Sequence, residues 1–196
     1  MLIGYEANIA MRDSQTLGDY SRELIEKLSN RHIRDGYRAL LFSTRIKNAY
    51  RSYFSGNSNV STYLPTGFSK TLPSAWIRYH LNPWLKSEKV RLFHGLNEEL
   101  PYHIDRDIKT VITCYGPNQH RRTSVMDVLL WRRRMHYSFT AADAIVAVSE
   151  TVKQQLIDNG VNADKIVVIG DPTNPMQITD EVVDQYFELY RRLLNR

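Results

Sequence analysis

Residues 142–171, ADAIVAVSETVKQQLIDNGVNADKIVVIGD, decide the fold. Two continuous apolar runs, 144–148 and 165–169, flank the segment 149–159, which Gly160 ends. Strands that are buried on both faces have such unbroken apolar runs, and strands joined through a helix pair in parallel. Ser149 stands where its hydroxyl can accept a hydrogen bond from the first turn of that helix. The stretch therefore predicts a β-α-β unit of a parallel sheet.

The same alternation runs through the rest of the chain. Further strands are predicted at 2–7, 37–43, 60–64, 90–93 and 109–114. Leu17, Tyr20, Leu24 and Leu28 recur at helical spacing. Other helices are predicted at 45–54, at 125–142 and from Pro73 onward, where Pro83 should kink or end the helix, with a loop at 8–16. The order predicts an α/β fold, a doubly wound, mostly parallel sheet in a Rossmann-like, three-layer arrangement.

The C-terminal segment predicts one more helix. Residues 170–175 form a turn-rich break, and Thr179 can cap the helix that follows. Asp180 and Glu181 in its first turn and Arg191 and Arg192 in its last complement the helix dipole. Val183, Phe187, Tyr190 and Leu194 line one face, so we expect this helix to dock on the sheet. The expected division is a domain at 1–171 and a turn plus helix at 172–196.

Composition excludes several classes of protein. The 196 residues are 42% hydrophobic and 24% charged, with 21 aromatic rings, which excludes an intrinsically disordered chain. A single cysteine, Cys114, excludes an internal disulfide and a cysteine zinc site, and the histidine spacing predicts no metal site and no cofactor. The N-terminus lacks a signal peptide's pattern, and no apolar run spans a membrane, so the expected location is cytoplasmic.

The net charge of +5 is concentrated in one region, where Arg121, Arg122 and residues 132–134 face a single acid, Asp127. Arginine forks match phosphate oxygens, so this region suits a phosphate or an anionic lipid surface at the inner face of a membrane. A plain solvated helix face is the simpler explanation of the same residues. Nucleic acid is not expected, because no recognition motif or stacking platform accompanies the arginines.

Ligands of open parallel sheets bind at the carboxyl ends of the strands. Four segments should meet there: 12–18, 94–97, 115–122 and 170–172. Backbone amides at Thr16, Leu17 and Gly18 open a helix and can face a phosphate, although a plain turn explains them too. His94 and Gly95 end a strand, where His94 is either functional or a structural hydrogen-bonding group. Asn118, His120, Arg121 and Arg122 complete the expected substrate-binding set.

Three segments resemble family 4 glycosyltransferases of the two-domain GT-B fold. They are the opening LIGYEA…TLGDYSRELIEKLS, the turn LFHGLNEELP and the unit at 142–171, in the family's order. The resemblance covers about residues 1–171. It implies an N-terminal, acceptor-side domain of bacterial cell-envelope or polysaccharide biosynthesis, with Thr16, Leu17 and Gly18 facing the donor's phosphate.

Two departures from the family pattern set the expectation for activity. The C-terminal, nucleotide-sugar-binding domain is missing from the predicted elements, as if truncated, while the family's crossover helix follows at once. The family's His-Asp pair is replaced by Tyr115 and Gly116, so no catalytic residue is assigned. The resemblance implies a transferase half that binds a saccharide or lipid-linked acceptor and is inactive alone.

Two alternatives stay open: a non-catalytic binding or scaffold subunit, and an engineered or degenerate minimal domain. A donor-domain partner or self-association is expected near Tyr102, Tyr115 and Met126, where removal of a companion domain would expose apolar surface.

Overall fold

The computed structural model describes residues 1–13, 16–116 and 125–195, with the backbone alone for residue 68 and residues 125–131. Seven strands form one parallel sheet in the order β3-β2-β1-β4-β5-β6-β7. The strands are β1 (Leu2–Glu6), β2 (Arg38–Phe42), β3 (Val60–Tyr63), β4 (Leu92–Gly95), β5 (Lys109–Cys114), β6 (Ala144–Ala147) and β7 (Ile166–Val168). The predicted doubly wound, three-layer fold is confirmed.

Helices connect these strands. They are α1 (Asn8–Arg12), α2 (Thr16–Arg31), α3 (Pro73–Tyr79), α4 (Asn82–Ser87), α5 (Val125–Ala141), α6 (Glu150–Asp158) and α7 (Asp180–Leu194). Within the described residues, no helix is both long enough and apolar enough to cross a bilayer. Ser149 and Thr179 cap α6 and α7 as predicted, accepting from the Val152 and Val182 amides at 3.2 and 3.3 Å.

Two local predictions are wrong. The expected loop at 8–16 instead contains α1, which begins at Asn8, two residues after β1 ends. The helix expected at 45–54 is reduced to one 3-10 turn, Asn48–Tyr50. Where Pro83 was expected to kink or end a helix, α3 ends at Tyr79 and Pro83 lies in the first turn of the separate helix α4, where its missing N–H costs nothing.

The winding reverses between β1 and β4. From β1 the sheet grows outward through β2 and β3, and the chain then returns to add β4 and the later strands on the other side of β1. Connections on the two sides of this point diverge, which leaves a crevice at the carboxyl ends of β1 and β4.

Helices cover the two faces of the sheet. Tyr5 of β1 points to the face that α2 and α7 cover, where its hydroxyl meets that of Tyr190 at 3.1 Å. Gly4 points the opposite way, toward Phe93 and Leu85. The alternation of side chains along a strand therefore separates the α7 face from the face of α3 and α4.

Buried polar side chains join α7 to the sheet and to α2. The hydroxyls and imidazole nitrogens follow one another at 2.5 to 3.1 Å, each group within hydrogen-bond distance of the next. In order, the chain of groups is Tyr37, Tyr5, Tyr190, His94, Thr113, Tyr186 and Tyr20. We call it the tyrosine chain. All seven of these side chains are buried, so each polar group needs the partner that it has here.

Surface contacts add to this docking. The Arg31 guanidinium on α2 donates two hydrogen bonds to the Asp184 carboxylate on α7, both at 2.7 Å. The His32 ring stacks on Phe187 with centroids 3.7 Å apart. The described C-terminal helix is thus part of the same lobe as the sheet.

Candidate functional site

A small polar cavity lies at the switch point between β1 and β4. Its volume is about 90 Å³, room for a few water molecules or for the edge of a larger ligand. The lining comes from the end of β1, from α1, from α3 and from the turn after β4: Glu6, Asn8, Ser74, Ile77, Arg78, Asn97, Glu99, Leu100 and Pro101. Ligand sites of doubly wound sheets form at this place, so we take the cavity as the candidate site.

Glu6 is the buried acid of this cavity, at the last position of β1. It is 2% exposed. Its Oε1 accepts hydrogen bonds from the side-chain amide of Asn8 and, at 3.3 Å, from the Asn8 backbone N–H. Its Oε2 has no hydrogen-bond partner among the described residues. Burial, and then the nearby Glu99 carboxylate, raise the pKa of Glu6 to about 8, so the side chain is mostly protonated at neutral pH.

Asn8 braces the ends of β1 and β2. Its Oδ1 accepts from the Ser43 hydroxyl at 3.1 Å and from the backbone and hydroxyl of Thr44 at 2.8 Å each. Its amide is thereby held toward Glu6. The hydrogen bonds from Ser43 and Thr44 to Asn8 therefore fix the orientation of the Glu6 carboxyl as well.

Glu99 supplies the second carboxyl of the cavity. Its oxygens lie 3.2 Å from Nε of Arg134 and 4.0 Å from Nη2 of Arg78. The neighbouring Glu98 takes a left-handed backbone conformation, with φ of 67°, and accepts the Tyr115 amide at 3.0 Å. The two adjacent acids therefore serve different parts of the lobe.

Gly95 shapes the turn that carries Asn97 and Glu99. A Cβ at position 95 would overlap the backbone carbonyl oxygen of Glu99 and approach Ile112 to 3.3 Å. The glycine expected to bind substrate thus has a packing role, since only glycine lets the turn fold back onto β4.

Gly95→Ala is expected to destabilise the lobe by about 1 to 3 kcal/mol, because the backbone of the turn must shift. Gly56→Ala is the matched control. Nothing lies within 4 Å of a Cβ at position 56, so its stability should change by less than about 1 kcal/mol. Urea denaturation of both variants checks the difference, and equal losses would contradict the packing role.

Thr16, Leu17 and Gly18 form the first turn of α2 and are not among the described residues lining the cavity. A Cβ at position 18 would overlap the carbonyl oxygen of Asp13. Buried Arg22 donates to that same oxygen at 2.8 Å and to the Ala10 oxygen at 2.6 Å. These contacts give Gly18 a packing role, and contact between this turn and a donor phosphate stays a prediction.

His94 lies inside the tyrosine chain and has no exposed surface. Its Nδ1 is 2.7 Å from the Tyr190 hydroxyl, and its Nε2 is 2.8 Å from the Thr113 hydroxyl. Burial lowers the pKa of His94 to about 3, so the ring is neutral. The geometry matches the structural alternative considered for this residue, and a contact with substrate stays a prediction.

Tyr115 and Gly116 follow β5. The Tyr115 side chain is buried and packs edge-on against Tyr20, with ring centroids 5.5 Å apart, on the α7 face. Gly116 has φ of 113°, a conformation that an aspartate rarely adopts. Neither residue lines the switch-point cavity.

The remaining predicted residues, Asn118, His120, Arg121, Arg122 and Met126, lie outside the residues whose side chains are described. A wider cleft of about 490 Å³ lies between α5 and α6. Cys114, Met135, Phe139, Val152 and Leu156 give it apolar walls, and Arg132 and His136 also line it. Of the apolar surface expected nearby, Tyr102 is half-buried between Tyr79 and Tyr137.

Sequence reasoning missed Glu6, Asn8 and Arg78, whereas Asn97 belongs to the segment 94–97 that was expected at the carboxyl ends of the strands. The signal at Glu6 was available: an acid that ends an otherwise apolar strand beside the switch point. Arg78 gave no such signal, since its contact with the cavity depends on how α3 packs.

In the described parts of the chain, no group of three or more histidine, cysteine, aspartate or glutamate side chains is arranged to hold a metal ion.

A doubly wound parallel sheet with a polar cavity at its switch point defines a Rossmann-like lobe. The chain belongs to glycosyltransferase family 4: the model of that family, Glycosyltransferase Family 4, matches residues 23–175, most of the sequence. The predicted family is thereby confirmed; the match includes the turn LFHGLNEELP, the unit at 142–171 and the end of the opening segment. No match was found among curated proteins.

Solved glycosyltransferases share the fold. The structure of Anabaena HepE with UDP and glucose is 14% identical, with a TM-score of 0.53, over 87% of this chain and 45% of that one. The lipopolysaccharide outer core galactosyltransferase WaaB is 15% identical, with a TM-score of 0.52, over 88% and 46%. A glycosyltransferase from Rickettsia africae is 16% identical, with a TM-score of 0.53, over 97% and 49%. The chain thus spans less than half the length of these proteins.

Proposed function

We propose that this chain is the acceptor-side lobe of a family 4 glycosyltransferase and binds a saccharide at the switch-point cavity. The observation that carries the proposal is the cavity itself, which presents two carboxyls and two amide side chains to a ligand. Groups that both donate and accept hydrogen bonds suit the hydroxyls of a sugar.

The charges of the cavity favour an acceptor over a nucleotide donor. A diphosphate needs cations or free amides close to it. Among the described lining residues the cation is Arg78, and Glu99 already lies beside it. We therefore assign the nucleotide sugar to a second lobe, whether joined to this one or supplied by another chain.

Transfer by this lobe alone is not part of the proposal. Glycosyl transfer needs donor and acceptor held together in a closed cleft. At the place of the family's His-Asp pair, Tyr115 is buried and Gly116 carries no side chain, so neither offers a group to a reacting sugar. Both features support an acceptor lobe that is inactive without its donor-binding partner.

The biological setting follows by analogy with the neighbours. HepE was solved with UDP and glucose, and WaaB acts on the lipopolysaccharide outer core. We propose bacterial cell-envelope or polysaccharide biosynthesis in the cytoplasm, with a saccharide or lipid-linked acceptor. Exposed Arg132 and Arg133 on α5 support weak contact with an anionic membrane surface.

A titration followed by amide NMR tests the proposal. Neutral methyl glycosides of common hexoses are expected to shift the signals of Glu6, Asn97 and Glu99 in a saturable way. UDP-glucose and GDP-mannose are expected to cause no saturable shift there, because the cavity offers no free cation. Saturation by a nucleotide sugar at these amides, with no response to any glycoside, would contradict the proposal.

A non-catalytic binding or scaffold subunit is the second candidate. Tyr79 is 51% exposed and stacks on Tyr102 beside the cavity, at a centroid distance of 5.3 Å. An exposed tyrosine that stacks on a half-buried one suits a protein contact or self-association. The same titration separates the two candidates, since a scaffold has no need to bind saccharides at Glu6.

A further inference from the structure

We propose that Glu6 anchors the acceptor: its Oε2 side hydrogen-bonds a hydroxyl of a saccharide whose uncharged edge enters the switch-point cavity. The inference rests on the proposed function and deepens it, since it names the anchoring residue and the chemical class of the group that the cavity accepts.

Only one oxygen of the Glu6 carboxyl has hydrogen-bond partners among the described residues. Oε1 is saturated by the Asn8 side chain and backbone, whereas Oε2 is buried and unpartnered among the described residues. A buried polar atom without a partner destabilises the fold, and an aspartate or glutamate is rarely buried in this way unless paired. The cavity that Glu6 helps to line is where a partner can come from.

The charges around Glu6 favour its protonated form. Glu99 faces it from the turn after β4, Arg12 from the last turn of α1 and Arg78 from α3, while Arg134 of α5 lies against Glu99. The Glu99 carboxylate raises the pKa of Glu6 more than Arg12 lowers it, and together with burial it keeps Glu6 mostly protonated at neutral pH. A protonated carboxyl donates one hydrogen bond and accepts others, as a sugar hydroxyl does.

The charge and the volume of the cavity determine the class of ligand. A carboxylate or phosphate entering the cavity would be repelled by the charged Glu99. Its negative charge would also oppose the ionisation of Glu6. A hydroxyl carries no such penalty. The volume of about 90 Å³ admits the edge of a ring, so the rest of the saccharide lies outside, along Ser74 and Pro101.

Binding of a neutral methyl glycoside to four chains tests the anchor: wild type, Glu6→Gln, Glu6→Ala and the control Glu188→Gln on the exposed surface of α7. Glutamine keeps one donor and one acceptor, so its affinity should stay within about threefold of wild type. Alanine removes the anchor and should weaken binding about tenfold or more. Thermal unfolding of each variant shows that the lobe is folded.

Comparison of each glycoside with its uronic acid tests the class of ligand. The wild type should prefer the neutral sugar, and this preference should grow between pH 6 and pH 9 as Glu6 ionises and adds a second negative charge. In Glu6→Gln the preference should not change with pH. A preference that is absent, or that changes equally in both chains, would overturn the assigned class.

The outcomes separate this inference from the proposed function. Saccharide binding that is equal in Glu6→Ala and wild type would overturn the anchor and leave the acceptor lobe standing. Absence of binding by every glycoside in the wild type would overturn both.

Discussion

Tyr190→Ala is expected to destabilise the lobe by about 3 to 5 kcal/mol, the cost of removing a large buried aromatic ring. The Tyr190 side chain is fully buried, and its hydroxyl lies between the Tyr5 hydroxyl and Nδ1 of His94. The substitution opens a cavity between α7 and the sheet and breaks the tyrosine chain at its centre. Urea denaturation followed by circular dichroism measures the loss.

Two further variants separate volume from hydrogen bonding. Tyr190→Phe keeps the ring and leaves Nδ1 of His94 without its partner, so a loss of about 1 to 3 kcal/mol is expected. Arg192→Ala, on the exposed side of the same helix, should cost less than about 0.5 kcal/mol. Equal losses for Tyr190→Ala and Arg192→Ala would show that α7 is not docked as described.

Glu6→Gln is expected to stabilise the lobe at alkaline pH, by an amount on the order of 5 kcal/mol at pH 9. The folded chain holds the Glu6 proton up to about pH 8, against an ordinary pKa of 4.5. Because the unfolded chain releases that proton first, the wild type loses stability as pH rises from 4.5 to 8. Glutamine carries no such proton, so the variant lacks this loss, and the two chains should be closest in stability at and below about pH 4.5.

His94 provides an internal contrast. Its folded pKa of about 3 lies below the ordinary 6.5, so its contribution to stability is lost as pH falls from 6.5 toward 3. In the wild type the two residues oppose each other between pH 4.5 and 6.5. The difference between Glu6→Gln and wild type isolates Glu6, and a difference that is constant from pH 5 to pH 9 would contradict its raised pKa.

The fold was largely predictable from sequence because its signals are local. Continuous apolar strands, the cap at Ser149 and the glycine after α6 all act within a few residues of one another. The misplaced elements are short ones. Whether Asn8 starts a helix depends on hydrogen bonds to Ser43 and Thr44, more than thirty residues away.

The site was less predictable because its chemistry depends on which side of the sheet each residue faces. His94 and Glu6 both end strands beside the switch point, and sequence singled out His94. The pleat of the sheet turns His94 toward α7, where both of its ring nitrogens are within hydrogen-bond distance of hydroxyl groups. It turns Glu6 toward the cavity. Asn97 and Arg78 come to the same cavity from the turn after β4 and from α3, and no spacing in the sequence links them.

The tyrosine chain has a consequence for how precisely α7 is seated. Tyr186 and Tyr190 are one helical turn apart and pair with different partners, Thr113 and Tyr20 for the first, Tyr5 and His94 for the second. A shift of the helix by one turn would bring Val182 or Leu194 opposite a hydroxyl group and leave that hydroxyl without a hydrogen-bond partner. Apolar contacts alone would tolerate such a shift, whereas these hydrogen bonds all form in a single position of the helix. The helix α7 therefore covers the sheet and is also held in one register along it.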